Sequence, residues 1–359
     1  MPKYETITEG KTKLHVSLGK ISKKLPVFYN PAKEFDRDIS VLFLRATGKK
    51  KVLDLLAASG ARGIRLAKEA KAKVWFNDIN KEAIKIIKKN LKLNKLKPIG
   101  VSNKRADEFL VTTKEKFDFI DIDPFGSPIT YVYQAIPKLE KNGILAVTAT
   151  DTAPLFGVYP WTCFRKYGSF SIKTKFSHEI GIRILAKAVI EIGAKHNISL
   201  KPIFAHSTQH YYRIYFQSRR SHLKEVLQNI GFIYYCNKCK RRFATKFEMH
   251  EKCSCGNKLS FAGPLYVGKL WDEKIVNKMI SLDSPKYLGK LKSKHENFLK
   301  RILEESKIDV PYFYEAEELG WEGKKLDEIV KELIKKGYKA SRTHFSGKGI
   351  RTNYSLQQK

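Results

Sequence analysis

The chain has 359 residues, too many for one ordinary domain, and 42% are hydrophobic, enough for real cores. Lys and Arg total 69 against 36 Asp and Glu, a formal net charge of +33 at pH 7, so a polyanionic partner is expected. A hot-environment composition would raise acids along with bases, no apolar run reaches the roughly 18–20 residues that span a bilayer, and Met1 to Val16 is polar. A soluble, cytoplasmic protein follows as the expectation.

In chain order, the first pattern is Val27-Phe28-Tyr29-Asn30-Pro31 followed by Phe35-Asp36-Arg37-Asp38. Phe28 could form one face of a base sandwich and Arg37 could meet a ligand carboxylate. Equally, they could be a core aromatic and a surface arginine. Lys51 to Leu56 then reads as a short apolar strand, Ala57 to Gly63 as a turn of small residues, and Ile64 to Ala70 as a helix. Such a turn leaves backbone N–H groups facing a ligand. Val74 to Asp78 is a second strand ending in an acid, placed to meet the hydroxyls of a ribose. The helix after it, Lys81 to Leu91, has Ala83, Ile84, Ile87 and Leu91 at helical spacing.

A dinucleotide-binding turn fits poorly, because Ala58-Ser59-Gly60-Ala61-Arg62-Gly63 lacks the first glycine of G-x-G-x-x-G. Arg62 and Arg65 also crowd the helix start where a pyrophosphate would need room. They suit a carboxylate, such as that of the methionine end of S-adenosylmethionine. A third strand, Pro98 to Ser102, precedes Arg105-Ala106-Asp107, where Asp107 could meet an adenine amino group or be a solvated loop acid. Phe117 to Ile122 is the fourth strand, ending in Asp123-Pro124-Phe125-Gly126, and Gly143 to Thr148 is the fifth. A helix, His178 to Lys195, and two closing strands, Leu200 to Thr208 and His210 to Gln217, complete the pattern. The fold class predicted is α/β, a doubly wound, mostly parallel seven-stranded sheet with a smaller zinc-bearing α+β C-terminal domain. The domains expected are 1–222 for the sheet, 223–270 for the cysteine segment and 271–359 for a nucleic-acid-binding tail.

Asp123-Pro124-Phe125-Gly126 carries the chemistry. An exocyclic amine of a purine is a poor nucleophile because its lone pair is delocalised into the ring. Methylating it needs in-line positioning and an acceptor for the amine proton. Asp123 is the candidate acceptor, Pro124 stiffens its backbone, and Phe125 offers a flat face to an extruded base. Alone, an Asp-Pro after a strand is an ordinary turn; at the tip of the fourth strand the catalytic reading is the better one.

Cys236-Asn237-Lys238-Cys239 and Cys253-Ser254-Cys255 are thirteen residues apart, which fits a closed structural Zn2+ site, with His250 a possible substitute for one sulfur. Lys238, Lys240, Arg241, Arg242 and Lys246 interleave with Phe243 and Phe247, a face suited to RNA. Cys163, the fifth cysteine, reads as buried and inert. Helical patterns at Lys294 to Ser306 and Lys325 to Lys336 precede Gly337-Tyr338 and a basic segment. That segment reads either as a winged-helix end presenting Arg342, His344, Lys348 and Arg351 to a backbone, or as a solvated tail.

Together, Phe28-Tyr29-Asn30-Pro31, Asp36-Arg37-Asp38, Ser59 to Arg65, Asn77-Asp78-Ile79, Asp123-Pro124-Phe125-Gly126, Thr148 to Pro154 and Ser341 to Phe345 resemble the tRNA (guanine-26 N2)-dimethyltransferases over essentially the whole chain. The resemblance implies S-adenosylmethionine held by Arg37, Arg65, Asp78 and the Ala106-Asp107 loop, with Gly60, Arg62 and Pro124 completing the cofactor set. It implies Asp123 as catalytic acid/base, Phe28 and Phe125 as stacking partners, and tRNA as substrate. Two departures stand out: Arg105 where the family usually has an acid before the alanine, and C-x-C in place of a second C-x-x-C. Rival readings are an adenine-N6 methyltransferase of DNA or RNA, and a non-catalytic RNA-binding protein with a relict cofactor fold.

Overall fold

The computed structural model describes residues 3–19, 25–208, 210–246, 248–282 and 292–356. The chain forms two compact units, 1–124 with 131–147 and 277–299, and 125–130 with 148–276 and 300–359. No described helix is long and apolar enough to cross a membrane.

The first unit opens with an antiparallel hairpin, β1 (Lys3–Glu9) and β2 (Thr12–Leu18), turned at Gly10 with φ +52°. Sequence reading gave this segment no structure, although two seven-residue runs flank Gly10-Lys11. The 3-10 turn Pro31–Lys33 leads into helix α1 (Glu34–Thr47). Then β3 (Lys51–Asp54), α2 (Ala61–Glu69), β4 (Lys73–Asn77), α3 (Lys81–Leu93), β5 (Gly100–Ser102), α4 (Ala106–Thr112) and β6 (Phe117–Ile122) alternate as expected. Helix α3 starts where the Asn80 side chain accepts from the Glu82 N–H, and it buries Ala83, Ile86, Ile87 and Leu91. After α5 (Ile129–Ala135) comes β7 (Leu139–Ala149), and a hairpin of β8 (Ser199–Thr208) and β9 (Tyr211–Arg219) follows helix Ser177–Lys195.

The sheet order is β5-β4-β3-β6-β7-β9-β8. Pairs β5–β4, β4–β3, β3–β6 and β6–β7 are parallel, and β8–β9 is antiparallel. The α/β class, the mostly parallel doubly wound sheet and its seven strands are as the sequence implies. Strand β6 is buried along nearly its whole length, as an interior parallel strand covered on both faces must be, and its buried residues are apolar apart from Asp121. Strand order reverses between β3 and β6, so the crevice for a ligand lies outside the carboxyl ends of these two strands.

The second unit carries a three-stranded sheet, β11-β10-β12, built from β10 (Ile230–Cys236), β11 (Arg242–Thr245) and β12 (Leu259–Tyr266). Near the C-terminus a second small sheet, β13 (Tyr314–Glu315), β15 (Gly349–Thr352) and β14 (Ala340–Arg342), packs with helix Leu326–Lys335 around Tyr314, Ile329, Leu333 and Ile350. Helix Leu326–Lys335 is thus followed by an antiparallel hairpin of β14 and β15.

Candidate active site

At the tip of β3 the chain must turn tightly against α2. Gly60 adopts φ +74°, and a Cβ there would lie 2.9 Å from Ile87. At Gly63 a Cβ would fall 2.3 Å from the Phe76 ring and 2.8 Å from Asp54 Oδ2, so only glycine brings α2 onto the sheet. The Gly63 N–H donates to Asp54 Oδ2 at 3.0 Å. Burial, and then the nearby Asp121 charge, push the Asp54 carboxyl up to about 7.

Asp78 follows β4 and lies half-buried. Its Oδ2 accepts from the Ala58 N–H at 2.7 Å and its Oδ1 from the Asn80 N–H at 2.8 Å. Burial raises its pKa, and these two donors oppose the rise. The Asn80 amide also donates to Pro26 O at 2.6 Å, and Val27 packs on Ala83 and Ile86, which lays the Phe28 segment beside this strand tip. Ala106 is buried at the start of α4. The neighbouring Asp107 is half-exposed and pairs with Arg105, whose Nη2 lies 3.0 Å from Oδ2.

The three arginines expected to meet a ligand carboxylate are all engaged by protein acids. Arg37 donates through Nε to Glu9 Oε2 at 2.8 Å, and Glu9 also accepts from the Tyr29 hydroxyl. Arg65 has no exposed surface and lies among Glu69 at 2.8 Å, Asp38 at 2.6 Å and Glu9 at 3.6 Å. Asp38 in turn meets His295 at 2.9 Å. The Glu9 partner was invisible in the sequence reading because it belongs to the N-terminal hairpin. Arg62 reaches Ser40 Oγ, Asp36 Oδ2 and Asp123 Oδ2, each at 2.6 Å, with Asp121 at 3.3 Å.

Asp123 sits one residue past β6, its side chain 17% exposed. Besides Arg62, it receives the ammonium of Lys33, 2.7 Å from Oδ1 and 3.0 Å from Oδ2. Lys33 is a site residue that sequence reading missed, being 90 positions away in an unexceptional Pro-Ala-Lys turn. Pro124 is buried.

In the second unit Phe125 is 52% exposed. The backbone beyond it is pinned, since the Gly126 N–H donates to Thr150 Oγ1 at 2.6 Å and Thr150 N–H to Gly126 O at 3.0 Å. Asp151 accepts from the Tyr167 hydroxyl and the Lys166 ammonium, at 2.6 and 2.7 Å. Cys163 is fully buried, its thiol pushed up to about 11 by burial, as expected of an inert cysteine.

Among the described residues the candidate metal group is Cys236, Cys239, Cys253 and Cys255, all Sγ atoms within 4.8 Å of one another. Sγ separations of 3.6 Å join Cys236 to Cys255 and Cys239 to Cys253. A tetrahedral zinc with Zn–S near 2.3 Å needs edges of about 3.8 Å, so the donor set fits. A tight turn at Gly256, φ +79°, with Gly256 N–H on Cys253 O, lets C-x-C present both sulfurs. His250 is not in the group; it packs edge-on against Tyr234 and Phe243.

Several basic residues expected to face RNA are internal struts. Arg242 is buried, donating to Phe313 O and Glu318 and lying over the Tyr314 ring at 4.2 Å. Arg351 is wholly buried between Glu179 and Glu305, and the His344 side chain is buried against Glu305. Lys348 is exposed and Arg342 half-exposed. Phe247 lies outside the described residues.

A groove of about 650 Å3 lined by Lys50, Lys51, Lys73, Trp75, Ile99, Glu115 and Asp118 opens at the amino ends of the strands. Ligands of doubly wound sheets bind at the carboxyl ends, so the strand tips, not this groove, form the candidate site.

A sheet of this order, with a glycine turn after its first parallel strand and acids at successive strand tips, defines a doubly wound enzyme of the methyltransferase class. The family described as N2,N2-dimethylguanosine tRNA methyltransferase matches residues 4–358, and the chain belongs to it. It is 38% identical to the tRNA (guanine(26)-N(2)/guanine(27)-N(2))-dimethyltransferase of Aquifex aeolicus, over 99% of this chain and 94% of that protein. It is also 38% identical to the tRNA (guanine(26)-N(2))-dimethyltransferase of Pyrococcus furiosus, over 97% of this chain and 95% of that protein. Among solved structures it matches Trm1 from Pyrococcus horikoshii in complex with S-adenosyl-L-methionine, with TM-score 0.86, 35% identity and coverage of 98% and 97% of the two chains.

Proposed function

We propose that the chain methylates the exocyclic N2 of guanine 26 in tRNA, once and then again, using S-adenosylmethionine, with Asp123 accepting the amine hydrogen and Phe28 and Phe125 stacking the extruded base. Family membership over residues 4–358 supports the reaction class. The observation that carries the catalytic assignment is the Asp123 carboxylate, which stands at the switch point of the sheet, 17% exposed, with Lys33 and Arg62 fixing it from the protein side.

S-adenosylmethionine supplies an electrophilic methyl group on a sulfonium. Asp78 would hold the ribose hydroxyls, the Ala106-Asp107 loop the adenine, and Gly60 and Pro124 the walls of the crevice. Arg37 would meet the methionine carboxylate, with Arg65 keeping Glu9 and Asp38 in place around it and Arg62 steadying Asp123. Asp123 accepts a hydrogen bond from the guanine amine and localises its lone pair. As the N2 lone pair forms the N–C bond, the S–C bond breaks toward sulfur and one N2 proton leaves to the carboxylate. A monomethylated amine retains one N–H, so the same acceptor serves the second transfer.

The four cysteines would hold a structural Zn2+ that cross-links the turns beside β10. Four protein ligands leave no open position for catalysis. A net charge of +33 favours binding to the tRNA backbone.

The test is to incubate unmodified tRNA with the protein and S-adenosylmethionine and analyse the nucleosides by mass. N2-methyl- and N2,N2-dimethylguanosine are expected. Methyl on adenine N6 would favour the rival amine, and cofactor binding without any transfer would favour a relict fold.

A further inference from the structure

We propose that Lys33 is a positioning residue for this reaction, its ammonium keeping the Asp123 carboxylate charged and oriented toward the target amine. The inference rests on the reading of Asp123 as proton acceptor.

The turn that carries Lys33 is built to hold it. The Asn30 side chain accepts from the Ala32 N–H at 2.9 Å, the Lys33 N–H donates to Asn30 O at 3.2 Å, and Arg37 Nη2 donates to the same oxygen at 3.0 Å. Fixing a lysine side chain costs up to about 2 kcal/mol of rotamer freedom. This one reaches the Asp123 carboxylate in a nearly dry contact, the Lys33 and Asp123 side chains being 11% and 17% exposed. Solvent therefore screens the pair weakly.

The charges around Asp123 explain why a second cation is needed. Arg62 comes from α2, Asp36 from α1, Asp121 from β6 and Asp54 from β3. Three carboxyl groups thus lie within 3.3 Å of the Arg62 guanidinium, Asp54 feels its charge, and Lys33 brings a further positive charge to Asp123. Without the Lys33 ammonium, like-charge repulsion among Asp36, Asp121 and Asp123 around Arg62 would favour a proton on one carboxylate. A protonated Asp123 carries its own O–H on one oxygen and cannot take the N2 proton. Lys33 acts through Asp123 rather than on the substrate.

The experiment is the pH profile of single-turnover methyl transfer by the full chain, for the wild type, Lys33→Met, Lys33→Gln and Lys33→Arg. Either neutral variant should move the acid limb to higher pH by about one unit. The plateau rate should fall several-fold with KM for tRNA held within twofold, and Lys33→Arg should bring the limb back. As a readout without turnover, the side-chain carboxyl 13C signal of Asp123, assigned with Asp123→Asn, should titrate at higher pH in the neutral variants. An unmoved limb and an unmoved carboxyl titration in both neutral variants, or no restoration by arginine, would overturn the proposal. Full turnover by Asp123→Asn would instead remove the reading beneath it.

Discussion

Two ion networks, one in each unit, use similar residues to opposite ends. In the second unit Arg183, Glu179, Arg351 and Glu305 alternate in charge, Glu305 also meets His344, and none of these side chains is more than 2% exposed. Glu305 is satisfied from all sides: Thr343 Oγ1 at 2.6 Å, His344 N–H at 3.2 Å, the His344 ring and Arg351 Nε at 3.3 Å. Although burial raises its pKa, the neighbouring His344 and Arg351 outweigh this and hold the carboxyl below its usual range. In the first unit Asp123 is likewise pinned by cations, but its side chain stays 17% exposed at a strand tip. A closed network stabilises a fold. A network with one partly exposed acid is the kind that the proposed proton transfer requires.

Breaking the open network at its centre has the largest expected effect. Asp123→Asn preserves shape while removing the proposed proton acceptor, and single-turnover transfer should fall by about 10²–10⁴ with tRNA affinity little changed. Equal turnover would contradict the assignment. Breaking the closed network should act on stability instead. Arg351→Met leaves Glu179 and Glu305 buried without their shared partner, at a cost of about 3–5 kcal/mol read by denaturant unfolding. A folded, unchanged protein would show the network to be dispensable.

Asp54 sharpens the comparison through pH. Its folded pKa of about 7 lies above the unfolded value near 3.9, so between these pH values the folded state binds more protons. Stability must then fall as pH rises across that window. Asp54→Asn, which keeps an acceptor for the Gly63 N–H, should gain on the wild type from pH 4 to 7, by up to about 4 kcal/mol. A constant difference across that range would count against a raised pKa. The smallest effect is expected from Cys255→Ser: one zinc per chain by metal analysis, lost or weakened in the variant, and a melting temperature lower by a few degrees. A metal-free wild type would end the zinc reading.

What the sequence disclosed follows from which interactions are local. Strand–turn–helix order, the Asp at the end of β4 and the four cysteines are written in short windows, because hydrophobic period, glycine and cysteine spacing are local signals. So was the position of Asp123, since Asp-Pro-Phe-Gly follows an apolar strand. Its partners were not, because Lys33 and Arg62 come from 90 and 61 positions away. Glu9 was missed for the same reason, and with it the anion already seated on Arg37. At the C-terminus Arg351 and His344 looked like a basic surface, yet Arg351 is buried between Glu179 and Glu305 and the His344 side chain against Glu305, both acids far away in sequence. Charge composition reveals how many cations a chain has but not which of them face solvent.

The most direct measurement is the distance from Asp123 Oδ to guanine N2 in a crystal structure of the protein with tRNA and S-adenosylhomocysteine. The account predicts hydrogen-bonding reach, about 2.6–3.2 Å, with the base between the aromatic rings of Phe28 and Phe125. A guanine amine directed at another acceptor, with Asp123 sealed behind Lys33, would contradict it.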